Sequence, residues 1–138
     1  MGSKAKKGGR KQTNRTPCEK CNARCCRYLA IEIDTPRTAA DYDDIRWYLL
    51  HRKVAVFIDH DGVWHLEFRS PCEALGEDNR CKIYDSRPRI CRKHGEENIC
   101  EFHASPYAVY MRTVEDLERY RASKSRSRRK KKRDRSGR

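Results

Sequence analysis

The chain has 138 residues, 36% of them apolar, with 33 Lys or Arg against 20 Asp or Glu and a net charge of +13. That length bounds it to one domain. No segment approaches the roughly 20 apolar residues that a membrane-spanning helix needs, which excludes a helical membrane protein.

The charge sits at the ends. Residues 1–16 contain six Lys or Arg and no acid, and residues 123–138 contain ten and one acid, so the ends hold +15 and residues 17–122 hold −2. Both ends read as disordered basic tails that flank one domain over residues 17–122. The opening M-G-S-K-A-K-K-G-G-R-K lacks the apolar run of a signal peptide, which points to a cytoplasmic protein with reduced thiols.

In chain order, the domain begins with C-E-K-C-N-A-R-C-C, four thiols between Cys18 and Cys26. Tyr28 to Asp34 follows, alternating Leu29, Ile31 and Ile33 against Tyr28, Ala30 and Glu32 as a half-buried strand does. Thr35 can cap a helix with Pro36 in its first turn and acids in its N-terminal half. Tyr42, Ile45 and Leu49 fall on one face, and the helix is expected to reach about His51. Val54–Asp59 and Val63–Arg69 read as a hairpin closed around Asp61-Gly62, with Trp64, Leu66 and Phe68 facing the core.

A second cysteine segment spans residues 71–100, with Gly76 and Asn79 marking loops and Ser86-Arg87-Pro88 opening a short helix. Tyr107–Met111 reads as an edge strand. Thr113 and Asp116 match a capping box for a last helix ending near Ala122. The fold class is therefore α+β: a small single domain stapled by metal, with a short antiparallel sheet, two or three helices and cysteine-rich loops brought together over the sheet.

All eight cysteines, Cys18, Cys21, Cys25, Cys26, Cys72, Cys81, Cys91 and Cys100, lie in this domain. In a reducing compartment they favour metal ligation over disulfides. Cys18 and Cys21 have the C-x-x-C spacing by which one turn presents two sulfurs to an ion, and Cys25 is near enough to add a third. Cys25 and Cys26 are awkward for one tetrahedral ion, because adjacent side chains diverge. The pair is expected to serve different metals, or to divide between binding and packing.

The later four are separated by eight, nine and eight residues, too far apart to close a compact knuckle alone. Eight thiols divide naturally into two four-coordinate sites that mix ligands from both segments. A single Fe-S cluster with spare cysteines is also compatible, and zinc and iron both suit thiolates. Lys20, Arg24, Arg27, Arg80, Lys82, Arg92 and Lys93 flank the cysteines, where cations favour the thiolate form.

The motifs C-x-x-C-x-x-x-C-C, the C-x8-C-x-I-Y run from Cys72 to Tyr84, R-P-x-x-C from Arg87 to Cys91, and Cys100 followed by Glu101-Phe102 together resemble the YkgJ-type cysteine-cluster family. The resemblance covers about residues 17–121. It implies a zinc- or iron-chelating protein, some members carrying the label Fe-S oxidoreductase, with Tyr84, Arg87 and Pro88 shaping the loop that carries Cys81 and Cys91. The basic tails are not part of that pattern.

The remaining candidates are weaker. Of His51, His60, His65, His94 and His103, only His94, three residues after Cys91, invites a metal role. No nucleophile motif, paired carboxylates or Gly-rich phosphate loop is present, so catalysis has no support beyond redox chemistry at the cysteines or their metal. The leading expectation is a metal-binding protein. The alternatives are an Fe-S or thiol electron-transfer protein, and a nucleic-acid adaptor using the basic tails through weak, salt-dependent phosphate contacts.

Overall fold

A computed structural model describes residues 23–96 and 105–137. Four strands, β1 (Leu29–Ile33), β2 (Val54–Ile58), β3 (Trp64–Phe68) and β4 (Val109–Met111), join three helices, α1 (Ala39–Leu49), α2 (Arg89–Glu96) and α3 (Val114–Ser136). The sheet is wholly antiparallel in the order β1-β3-β2-β4. This is the expected small α+β domain, with the hairpin at its centre and Val109–Met111 at one edge.

Strand register assigns the faces, because directly opposed residues share one. Ile33, Trp64, Ile58 and Val109 form one row and Ile31, Leu66, Val56 and Met111 the next. Ile45 and Leu49 of α1 and Leu117 of α3 close over them, and Tyr42, Tyr48, Val114 and Tyr120 pack at the margin. The rings of Tyr42 and Tyr120 meet Trp64 edge-on at 6.4 and 5.5 Å. The core thus stands where a period-2 sheet meets two amphipathic helices.

Three sequence expectations change. First, α1 is capped by Thr38 and not by Thr35. The Thr38 hydroxyl accepts from the Asp41 N–H at 3.1 Å, and the Asp41 carboxylate accepts from the Thr38 N–H at 2.8 Å. Two reciprocal bonds outweigh the single bond a Thr35 cap offers. Second, Leu29 and Ile31 lie on the core face yet remain about half exposed (52% and 50%). The helices cover the centre of the sheet and leave edge strand β1 open. Phe68, paired with Leu29, is likewise at the rim.

Third, residues 123–136 continue α3 and are not a disordered tail. The Thr113–Asp116 capping box is present as expected, acids fill the first turn and Arg133 and Arg135 the last, in line with the helix dipole. Neither Gly nor Pro interrupts 114–136. The hydroxyls of Ser123, Ser127 and Ser136 donate back to the carbonyls of Tyr120, Ser123 and Lys132. The other expected tail, residues 1–16, lies outside the described residues.

Candidate metal centre

The first cysteine segment enters the described chain at Ala23, which is buried and left-handed (φ 50, ψ 48), followed by a single 3₁₀ turn over Arg24–Cys26. Side chains step by about 120° per residue in such a turn, so the adjacent thiols diverge. Cys25 is exposed and Cys26 half-buried. The two neighbouring thiols thus differ in direction and in exposure.

The second segment is folded back on itself. The Leu75 N–H donates to the Cys72 carbonyl at 3.0 Å, Leu75 and Cys81 form an isolated antiparallel bridge, and the Lys82 N–H reaches the Ala74 carbonyl at 2.8 Å. Asn79 makes the reversal possible with φ 60, a value Asn tolerates better than most residues. The loop returns Cys81 opposite Leu75, one turn beyond Cys72. Farther on, a 3₁₀ turn at Tyr84–Ser86 leads into α2, with Cys91 exposed in its first turns and Arg87 stacked 3.9 Å over the Tyr84 ring.

Two direct bonds join the segments. The Cys72 N–H donates to the Cys26 carbonyl at 2.7 Å, and Arg27 Nη2 donates to Asn79 Oδ1 at 2.9 Å. Chain positions 46 residues apart are thereby held side by side at the end of the sheet where β1 starts and β3 finishes. Strand pairing causes this. Leu29 opposite Phe68 places the residues just before β1 beside those just after β3.

Among the described residues no three His, Cys, Asp or Glu side chains converge into a complete ion site. Cys18, Cys21 and Cys100 lie outside the described residues, as do the side chain of His94 and all of His103. The structure thus brings Cys26, Cys72 and Cys81 onto neighbouring backbone and sets Cys25 and Cys91 on short helical turns. The donor set still fits zinc or iron, being soft, sulfur-rich and flanked by Arg27, Arg80 and Lys82.

The other described histidines have structural partners. His51 Nδ1 lies 2.9 Å from the Trp47 carbonyl and His60 Nε2 lies 2.9 Å from that of Ser105. His65 contacts Asp59 at 3.0 Å and stacks on Phe57 at 4.6 Å. Burial alone would raise the Asp59 carboxyl, but bonds from His65 and from the Val63 and Asp61 N–H groups outweigh it and hold the group below its ordinary range.

Sequence reasoning missed Glu67. It lies on the sheet face opposite the helices, is 2% exposed, and accepts from Tyr110 at 2.7 Å and Tyr107 at 3.1 Å. Ala55, between β3 and β4, is small enough to let Glu67 and Tyr110 meet across it. Burial and the Glu67 bond push the Tyr110 phenol up to about 12. Alternation in β3 puts Glu67 on the face away from the helices, so only the tertiary approach of Tyr107 and Tyr110 reveals that it is buried.

A short antiparallel sheet under two helices, with two cysteine segments hydrogen-bonded at one end, defines a small α+β protein of the cysteine-cluster class. The sequence model of a family described as "CxxCxxCC: Putative zinc- or iron-chelating domain" matches residues 17–109, and the chain belongs to that family. Neither the curated proteins nor the solved structures give a match. Three residues, Asn22, Ala23 and Arg24, separate Cys21 from Cys25, where the family's name spells two. The left-handed Ala23 falls in that interval. Chelation of zinc or iron is the general property the family description supports.

Proposed function

We propose that Cys18, Cys21, Cys25, Cys26, Cys72, Cys81, Cys91 and Cys100 bind zinc or iron as thiolates in two four-coordinate sites. Each site mixes ligands from both segments, and the metal fixes the fold. The observation that carries this reading is the 2.7 Å bond from the Cys72 N–H to the Cys26 carbonyl, which aligns the two segments through backbone alone. Metal binding then adds to a preset arrangement, and less chain entropy is lost on ligation.

A divalent ion with four thiolates carries about −2, which accounts for the Arg and Lys side chains beside the cysteines. With iron and sulfide, the same ligands would make the domain an electron carrier. Cys21→Ser and Cys91→Ser, one from each segment, test the shared-ligand arrangement. Each is expected to lower bound metal and to lower the unfolding midpoint of the whole domain. Unchanged metal content with unchanged unfolding in either variant contradicts it.

A further inference from the structure

Helix α3 continues well past its packing. Val114, Leu117 and Tyr120 reach the core, Arg121 lies over the Tyr42 ring at 4.5 Å and Lys124 over that of Tyr120 at 5.5 Å. Every residue from 121 to 137 is exposed. Residues 123–136 therefore project as a helix about 21 Å long at 1.5 Å per residue. Nine of them are Lys or Arg, and Asp134 is the single acid.

At about 100° per residue, those nine cations cover about 260° of the circumference. The remaining sector carries Ser123, Ser127 and Asp134. Such a distribution selects among polyanions. A lipid surface meets one face of a helix and buries apolar residues there, whereas residues 123–136 contain none and turn many of their cations away from any single face. Single-stranded nucleic acid is held by aromatic stacking, and this stretch has no aromatic residue.

A duplex groove, in contrast, has phosphates on both walls. The major groove of B-form DNA is about 12 Å wide and admits a helix of about 10–12 Å diameter, whereas that of A-form RNA is deep and narrow. A duplex carries one charge per about 1.7 Å, hence about 12 over the length of this helix. That number suits nine cations spread around the helix. Nine cations spread around the helix meet chiefly phosphate, which carries no sequence information, so binding depends little on sequence.

We propose that residues 123–136 of α3 dock in the major groove of duplex DNA and bind the phosphates of both walls without sequence preference. The helix is the essential element, because it presents cations to two walls at once.

The test uses the full chain and a labelled 20-base-pair DNA, with anisotropy measured from 50 to 200 mM salt. Affinity is expected to fall about a thousandfold or more across that range. Replacing Arg126, Arg129, Lys130 and Arg133 together by Gln should flatten the log–log salt slope by about 0.9 for each phosphate that is no longer neutralised. Ser127→Pro keeps all nine cations but breaks the helix beyond Val114, Leu117 and Tyr120, the residues by which α3 meets the core, so the domain is left intact. It should weaken binding about tenfold or more. Equal binding by Ser127→Pro and the parent overturns the proposal, as does equal or tighter binding to duplex RNA or to phosphatidylserine vesicles.

Discussion

Glu67→Leu and Tyr110→Phe, made singly and together, measure how firmly the second face of the sheet is held. The Glu67 carboxylate is 2% exposed and takes its shorter bond, 2.7 Å, from Tyr110. A hydrogen bond to a charged group contributes about 1.5–3 kcal/mol net, and a buried acceptor stripped of its donor loses at the upper end of that range. Tyr110→Phe is therefore expected to cost about 2–3 kcal/mol. Once Glu67 is Leu, the same change should cost less than about 1 kcal/mol, because no buried charge remains to be abandoned. Urea unfolding of the four proteins, followed by the fluorescence of core Trp64 at one fixed metal loading, gives the coupling energy. A coupling of about 1.5–3 kcal/mol is predicted. A value under about 0.5 kcal/mol would refute the view that this pair stabilises the fold.

Alkaline pH probes the same pair. Tyr110 titrates at about 12 in the folded protein and near 10 unfolded, so between those values the folded state holds the extra proton and stability falls as pH rises. Two units correspond to about 2.7 kcal/mol for a fully desolvated group, and solvent screening at this half-buried phenol reduces that to about 1 kcal/mol. Tyr110→Phe should remove this part of the pH dependence. Lys53 is exposed at φ 62, where a side chain is strained, and Lys53→Gly should raise stability by about 0.5–1 kcal/mol in urea; a fall in stability would contradict the reading. Deleting residues 123–138 should leave the unfolding free energy within about 0.5 kcal/mol, because Val114, Leu117 and Tyr120, by which α3 meets the core, all remain. The same deletion should remove helical circular dichroism that otherwise grows with added salt as like charges are screened.

The hairpin, the two capping-box residues Thr113 and Asp116 and the edge position of β4 were legible because each rests on a local signal: alternation, turn chemistry or cap spacing. Thr35 and Thr38 could not be separated by composition, since both precede the apolar face and only the reciprocal bond to Asp41 decides. The exposure of Leu29 and Ile31 was invisible because alternation reports which face a residue shares, not whether a helix covers that part of the sheet. The charge of residues 123–136 argues for disorder, and their lack of Gly and Pro together with serine back-bonding argues for helix. In this segment net charge is the weaker guide. At the candidate metal centre, eight thiols in two groups were plain in the sequence. Their alignment through Cys26 and Cys72 depends on pairing residues 39 apart in β1 and β3, a tertiary fact.

Elemental analysis with an ultraviolet-visible spectrum, on full-length protein purified without oxygen and without a metal-binding tag, tests the proposed metal centre most directly. Two four-coordinate thiolate sites predict about two metal ions per chain. About two zinc or two sulfide-free iron ions per chain satisfy the proposal, whereas iron with sulfide and a brown spectrum would replace it with the alternative of an Fe-S redox centre. Folded protein that carries no stoichiometric metal, and that gains none on titration with zinc or iron, would contradict it.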